Sequence, residues 1–303
     1  MTLTNDSANS NSLILGTAQW GLDYGISNKK GKLMPSEIKK IKDIALDSNI
    51  NMLDTAPVYG NSEELIGEYC AQDFKIITKI PKLSNEKNTK AKVELINKSF
   101  YKSISNLKIK KAHALLFHSA EDLILDSGHS ILECVKALQE QNLVSKIGLS
   151  IYDSSQIDSI LDFFQPDIIQ VPISLLDQRL IHSGHLVKLK QAGVEIHARS
   201  IYLQGLLHMD IDKMDDFFSP IKKLLVKMHN DISKENLTIN QAALLFVKGI
   251  KEIDKIVIGV DSSSQLHQAV NDIAINRNFY AKDLFCSKKE FIDPSRWKLS
   301  ERY

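Results

Sequence analysis

Leu53-Asp54-Thr55-Ala56-Pro57-Val58-Tyr59-Gly60 decides how the rest of this 303-residue chain is read. An apolar run, Ile50, Met52 and Leu53, leads into it and reads as a short strand ending at Asp54. Asn61, with Glu64 three residues on, predicts a capping box that opens a helix. An acid therefore stands at the carboxyl end of a strand, and a tyrosine stands on the loop before the next helix. That end of a β/α protein is where its chemistry is kept. Two later strands end in the same manner. Phe74 to Thr78 runs into Lys79, and Ala112 to Phe117 runs into His118. A phenol with a reference pKa near ~10 is a sluggish proton donor at neutral pH. A neighbouring ammonium would lower that pKa, and a carboxylate beside the ammonium would offset the cost of burying it. Asp54, Tyr59, Lys79 and His118 are thus the candidate catalytic set, with Tyr59 the general acid.

The same strand–helix rhythm extends in both directions. Leu13-Ile14-Leu15 gives a first buried strand closed by Gly16-Thr17, and Ser36 caps a helix with Ile38, Ile41, Ile44 and Ala45 at helical spacing. Further strands are predicted at 144–149, 167–171, 194–198 and 255–258, and helices at 61–70, 89–106, 129–141, 154–164, 182–192 and from Ser263 onward. The stretch 200–235 breaks the rhythm before the helix Asn240 to Lys248, and a small extra helix is read over 217–229. Eight units in strict alternation predict a closed (β/α)8 TIM barrel of the α/β class. It forms a single domain, residues 13–303, with a long loop after strand 7. Its C-terminal tail, Phe291 to Trp297, packs back on the barrel. A doubly wound sheet would need a glycine-rich phosphate turn after the first strand, and Gly16 is followed by Thr17 and Ala18. The polar stretch 1–12 is expected to be a disordered tail.

Composition removes several classes of function. Thirty-eight basic against thirty-seven acidic residues leave a net charge of +1, without the basic excess of a nucleic-acid binder. No apolar run approaches the roughly 20 residues that span a bilayer, and the start of the chain lacks the pattern of a signal peptide. Cys70, Cys134 and Cys286 are odd in number and far apart, as separate reduced thiols of a cytoplasmic protein would be. His182 and His185 have helical ligand spacing but no accompanying carboxylate or thiol, so no metal is expected.

The runs LDTAPVYGNSEELIG (53–67), ITKIPK (77–82) and LLFHS (115–119) closely resemble the aldo-keto reductase superfamily. Supporting matches are GTAQWGLDYG (16–25), KIGLS (146–150), QVPISLLDQR (170–179), SIYLQGLL (200–207) and VIGVDSSSQL (257–266). The resemblance implies reduction of an aldehyde or ketone by a nicotinamide cofactor, NADPH with NADH possible, through the Asp-Tyr-Lys-His set. It carries cofactor contacts onto Thr17, Ser150, Gln170, Ser200, Gly205, Leu206, Gly259, Ser262, Ser263 and Gln265. Trp20 and Tyr24 are carried over as substrate-pocket aromatics. Where relatives place cations on the NADPH 2′-phosphate, this chain has Gly259 and Gln265, so a relaxed preference over NADH is expected. The implied partner is a small carbonyl compound, with neither nucleic acid nor membrane, in a monomer or weak homo-oligomer. Two alternatives stay open. One is a cofactor-binding regulatory subunit like those of ion channels; the other is a sugar-modifying reductase of polysaccharide biosynthesis.

Overall fold

The computed structural model describes residues 12–297 and 299, apart from 27, 29, 30, 125 and 126. Residues 1–11, most of the expected tail, lie outside the described residues, while the Ser12 carbonyl accepts from the Ile256 amide beside the first strand. Eight parallel strands among them close into a barrel in sequence order. They are β1 (Leu13–Gly16), β2 (Met52–Asp54), β3 (Lys75–Ile80), β4 (Ala112–Phe117), β5 (Val144–Ser150), β6 (Ile168–Pro172), β7 (Glu195–Arg199) and β8 (Lys255–Gly259). Closure is made by β1 on β8, with Leu13 beside Ile256 and Gly16 beside Gly259.

The main helices are α1 (Pro35–Asp47), α2 (Ser62–Tyr69), α3 (Thr89–Leu107), α4 (Gly128–Glu140), α5 (Ser154–Phe163), α6 (His185–Gln191), α7 (Lys222–Lys234), α8 (Ile239–Lys248) and α9 (Ser263–Ala274). The predicted capping box of α2 does not form, because Asn61 makes no side-chain cap and Ser62 turns inward to Thr17. Helix α1 begins at Pro35 without a Ser36 cap; proline has no amide to satisfy and its φ already suits the first turn. The helix expected over 182–192 splits at Gly184, whose φ of 74° no helix continues. The extra helix expected at 217–229 begins later, since Pro220 confines Asp216–Ile221 to a 3₁₀ turn.

Period-2 alternation sorts each strand into two faces. Leu13 and Leu15 belong to the large layer between strands and helices, whereas Ile14, Met52, Ile77, Ala114, Leu116 and Ile168 form a separate cluster with Val257. These alternate positions plug the barrel. Two residues beyond six of these positions, toward the carboxyl ends, stand Gly16, Asp54, Lys79, His118, Gln170 and Gly259. Alternation alone therefore aims the chemistry inward, just above a dry plug. The C-terminal segment packs on the insertion after β7, with Trp297 edge-on to Phe218 and Phe291 against Phe217. Among the described residues no helix is long and apolar enough to cross a membrane.

Candidate active site

A cavity of about 550 Å³ opens at the carboxyl ends of the strands. Asp54, Tyr59, Lys79 and His118 all line it. Asp54 is 4% exposed and Lys79 3%, so their charges are out of water and must answer one another. Lys79 Nζ donates to Asp54 Oδ2 at 2.6 Å and to the Thr55 carbonyl at 3.0 Å. Gln170 Nε2 donates to the other Asp54 oxygen at 2.6 Å. Tyr59 lies with its ring centroid 5.2 Å from Lys79 Nζ and 6.3 Å from the His118 ring, which meets it edge-on.

The turn carrying Tyr59 is held from behind. Ser62 Oγ donates to the Thr17 carbonyl at 3.0 Å and lies 2.8 Å from the Thr17 hydroxyl, which itself donates to the Asp54 carbonyl at 3.0 Å. Gly60, with φ of 59°, abuts the Gly21 carbonyl so closely that any Cβ there would collide with it. A Cβ on Gly21 would likewise strike the Tyr59 carbonyl. Thr17 lines the cavity, but its hydroxyl is engaged in holding the end of β2.

The electrostatics correct one expectation. Tyr59 was expected to ionise more easily beside Lys79, yet its phenol is pushed well above the usual range, by burial first and by Asp54 second. Asp54 neutralises the ammonium at hydrogen-bond distance, leaving burial to decide. His118 is lowered to about 4 by burial and then by Lys79, so it is a neutral imidazole at pH 7. Tyr24, raised to about 12 by burial and by Tyr59, accepts from Gln204 Nε2 at 2.9 Å and also lines the cavity.

Most of the positions carried over for a cofactor meet the same cavity: Ser150, Gln170, Ser200, Gly205, Gly259 and Gln265 join Thr17 in its wall. Four carried-over positions do not. Trp20 is 1% exposed within the large core and is no pocket residue; Leu206 is buried in that same core. Ser262 is the N-cap of α9 and accepts from the Gln265 amide. Ser263 gives its amide and hydroxyl to Glu37 of α1, at 2.6 and 2.7 Å. A carboxylate from the chain itself thus sits on that helix N-terminus, where an outside anion would otherwise be favoured.

Ser150 and Gln170 fit a primary carboxamide. A carboxylate only accepts, so Gln170 must turn its nitrogen to Asp54, leaving its oxygen as an acceptor. Ser150 Oγ accepts from Arg199 Nε at 3.0 Å, leaving its own hydroxyl proton to donate. One donor and one acceptor side by side are what a nicotinamide amide requires.

Arg199 and Tyr152 also line the cavity, and residue-by-residue reading passed over both. Arg199 ends β7 on the inward parity of His197, so the rule that exposed Asp54 and Lys79 applied to it equally. The backbone after it is contorted, with positive φ at Ser200, Leu203, Gln204 and Gly205. Such turns are held by surrounding structure, here partly by the Ile26 amide donating to the Gln204 carbonyl.

The sequence profile of the Aldo/keto reductase family matches residues 12–283. Human aldo-keto reductase family 1 member A1 is 28% identical over 164 residues, covering 46% of this chain and 50% of that protein. The chain therefore spans about half the length of the curated relatives it matches. Among solved structures, the holo form of an aldo-keto reductase from Bacillus halodurans superposes with a TM-score of 0.71 at 17% identity, covering 94% of this chain and 95% of its own. A glycerol dehydrogenase from Gluconobacter oxydans gives 0.67 at 18% identity, with 90% of both chains covered. At those identities the structures speak for the fold.

Proposed function

The chain belongs to the aldo/keto reductase family, and from that premise we propose that it is a nicotinamide-dependent oxidoreductase reducing an aldehyde or ketone to an alcohol. One observation carries the reading: a buried Asp54–Lys79 pair at 2.6 Å beside Tyr59 and His118, in one cavity with a carboxamide-complementary Ser150 and Gln170. Ser150 and Gln170 would hold a nicotinamide by its amide, and that group would supply the hydride for the carbonyl carbon. Tyr59, kept protonated by its burial, gives its proton to the carbonyl oxygen. The neutral His118 donates a hydrogen bond to that oxygen and orients it without competing as the acid. Lys79, held in place by Asp54, is the cation that faces the phenolate until a proton returns from solvent.

Both NADPH and NADH are accepted in this reading, with a relaxed preference. Among the described residues, the cavity wall beyond β8 offers Gly259, Asp261, Gln265 and Asp272 rather than a lysine or arginine. Ser263 is already occupied by Glu37. The reading places the protein in the cytoplasm, where free thiols such as Cys70, Cys134 and Cys286 stay reduced, and takes it as a monomer or weak homo-oligomer. The test is spectrophotometric: aldehydes and ketones are screened for oxidation of each reduced cofactor. Absence of turnover across aromatic, aliphatic and sugar carbonyls would refute the enzymatic reading and favour a cofactor-binding regulatory subunit.

A further inference from the structure

The cavity wall holds two fixed cations among the described residues, Lys79 and Arg199. Lys79 is matched by Asp54 at 2.6 Å. Arg199 makes no ion pair with a described residue, and its hydrogen-bond partners are all neutral. Nε donates to Ser150 Oγ at 3.0 Å, one terminal nitrogen to Ser200 Oγ at 3.1 Å and the other to the Ile151 carbonyl at 2.8 Å. Its Cζ lies over the Tyr152 ring, 4.5 Å from the centroid. Neutral dipoles and an aromatic face thus orient the guanidinium and leave its charge uncompensated. That charge reaches the catalytic groups, for it acts on Tyr24, Tyr59 and His118. Ser150 is also half of the pair that suits a nicotinamide amide, with Gln170 beside it in register. The amide is joined to its ring by one bond, so a ring held by that pair comes next to the guanidinium. A reduced nicotinamide ring is neutral, and on giving up hydride it becomes a cation. Like charges repel more strongly in a wall that excludes water than in bulk solvent.

We propose that Arg199 makes the site selective for the redox state of its cofactor, taking up the reduced dinucleotide and discarding the oxidised one by charge repulsion. The inference rests on the carbonyl-reductase reading above. In the reduction, hydride passes to the carbonyl carbon and the Tyr59 proton to its oxygen, so a ring cation and a phenolate arise together. Arg199 opposes the first charge and favours the second, and the two effects offset while both charges stand. Once Tyr59 regains a proton from solvent, only the repulsion is left, and it drives the spent cofactor out. Lys79 does not act in this way, because Asp54 cancels its charge at hydrogen-bond distance.

The test compares NADPH with NADP+, which differ at the nicotinamide ring and share the 2′-phosphate, pyrophosphate and adenine. Both affinities are measured by titration calorimetry on the full chain, for the parent, Arg199→Gln and Arg199→Lys. The parent is expected to bind NADPH about 10- to 100-fold more tightly, the order expected of one like charge several ångströms away under the effective dielectric of a protein. Arg199→Gln should bring the ratio near one, by tightening NADP+ rather than by weakening NADPH. Arg199→Lys keeps the charge and should keep most of the preference. Arg199→Met takes the place of the glutamine variant if that one does not fold. A parent that binds both forms equally overturns the proposal, and so does a glutamine variant that keeps the parental ratio. A glutamine variant that weakens both forms alike overturns it too, since the guanidinium would then only hold Ser150 in place. If the parent binds neither dinucleotide, the nicotinamide-dependent reading itself fails and the proposal falls with it.

Discussion

At the scale of single residues, the Tyr59 hydroxyl and the Asp54 carboxylate make opposite predictions. Tyr59 makes no hydrogen bond through its hydroxyl to any described residue, so Tyr59→Phe should leave the melting temperature at the parental value. Carbonyl reduction should fall by about 10²–10⁴-fold, the worth of a positioned proton donor. Steady-state kinetics beside a thermal melt check both halves, and a variant that turns over normally removes Tyr59 from the mechanism. Asp54 instead accepts from Lys79 and Gln170 inside a wall that excludes water. Asp54→Asn strands a buried ammonium, and breaking such a pair costs about 3–5 kcal/mol. Urea unfolding should show that loss together with lost activity. Arg199 shows why the residue scale was read incompletely. A strand-end arginine looks like solvated surface until the neighbouring Ser150, Ile151 and Tyr152 are known.

Elements meet functionally at the start of α9. The resemblance carries cofactor contacts onto Ser262 and Ser263 there, and Glu37 from α1, 226 residues away in sequence, takes the Ser263 amide instead. The two Ser263 bonds hold the Glu37 carboxyl below its ordinary range, with Lys40 a smaller contributor, so it is anionic at neutral pH. Glu37→Ala frees the Ser263 amide and removes a competing negative charge. Loss of a carboxylate at a helix N-terminus costs about 0.3–1 kcal/mol, a small drop in the urea midpoint. On fluorescence titration the variant should bind NADPH more tightly relative to NADH than the parent does. An unchanged affinity ratio would mean that the 2′-phosphate does not approach α9.

Stability of the whole barrel depends on groups at both ends of its plug. His118 stands above it with a pKa lowered from 6.5 to about 4. The unfolded chain takes up that proton first, so the His118 contribution is complete above pH 6.5 and is lost as pH falls toward about 4. At ~1.4 kcal/mol per pKa unit the loss reaches about 3 kcal/mol. Glu195 opens β7 at the opposite end. Its carboxyl is lowered from 4.5 to about 2, first by His197 at 2.8 Å and also by Lys146. Its contribution is complete above pH 4.5 and is lost as pH falls toward about 2. Urea unfolding across this range should therefore show stability falling in two stages. His118→Asn should remove the upper stage and Glu195→Gln the lower. An upper stage that survives in the His118 variant would assign it to other groups.

Alternation of strands and helices, strand-end chemistry and the inward parity of Asp54, Lys79, His118 and Gln170 were legible in the chain, because a period of two and a closed barrel leave one inside for such residues. Local rules failed where a distant neighbour made a better offer. Ser62 chose Thr17 over a cap, the phenol of Tyr59 followed its burial rather than Lys79, and Trp20 went to the core instead of the pocket. The Glu37 carboxylate on α9 and the uncompensated Arg199 belong to the same class. Periodicity and spacing are properties of a single chain segment, so the sequence determined them by itself. Desolvation and charge pairing depend on which segments meet, and only the tertiary structure decided those.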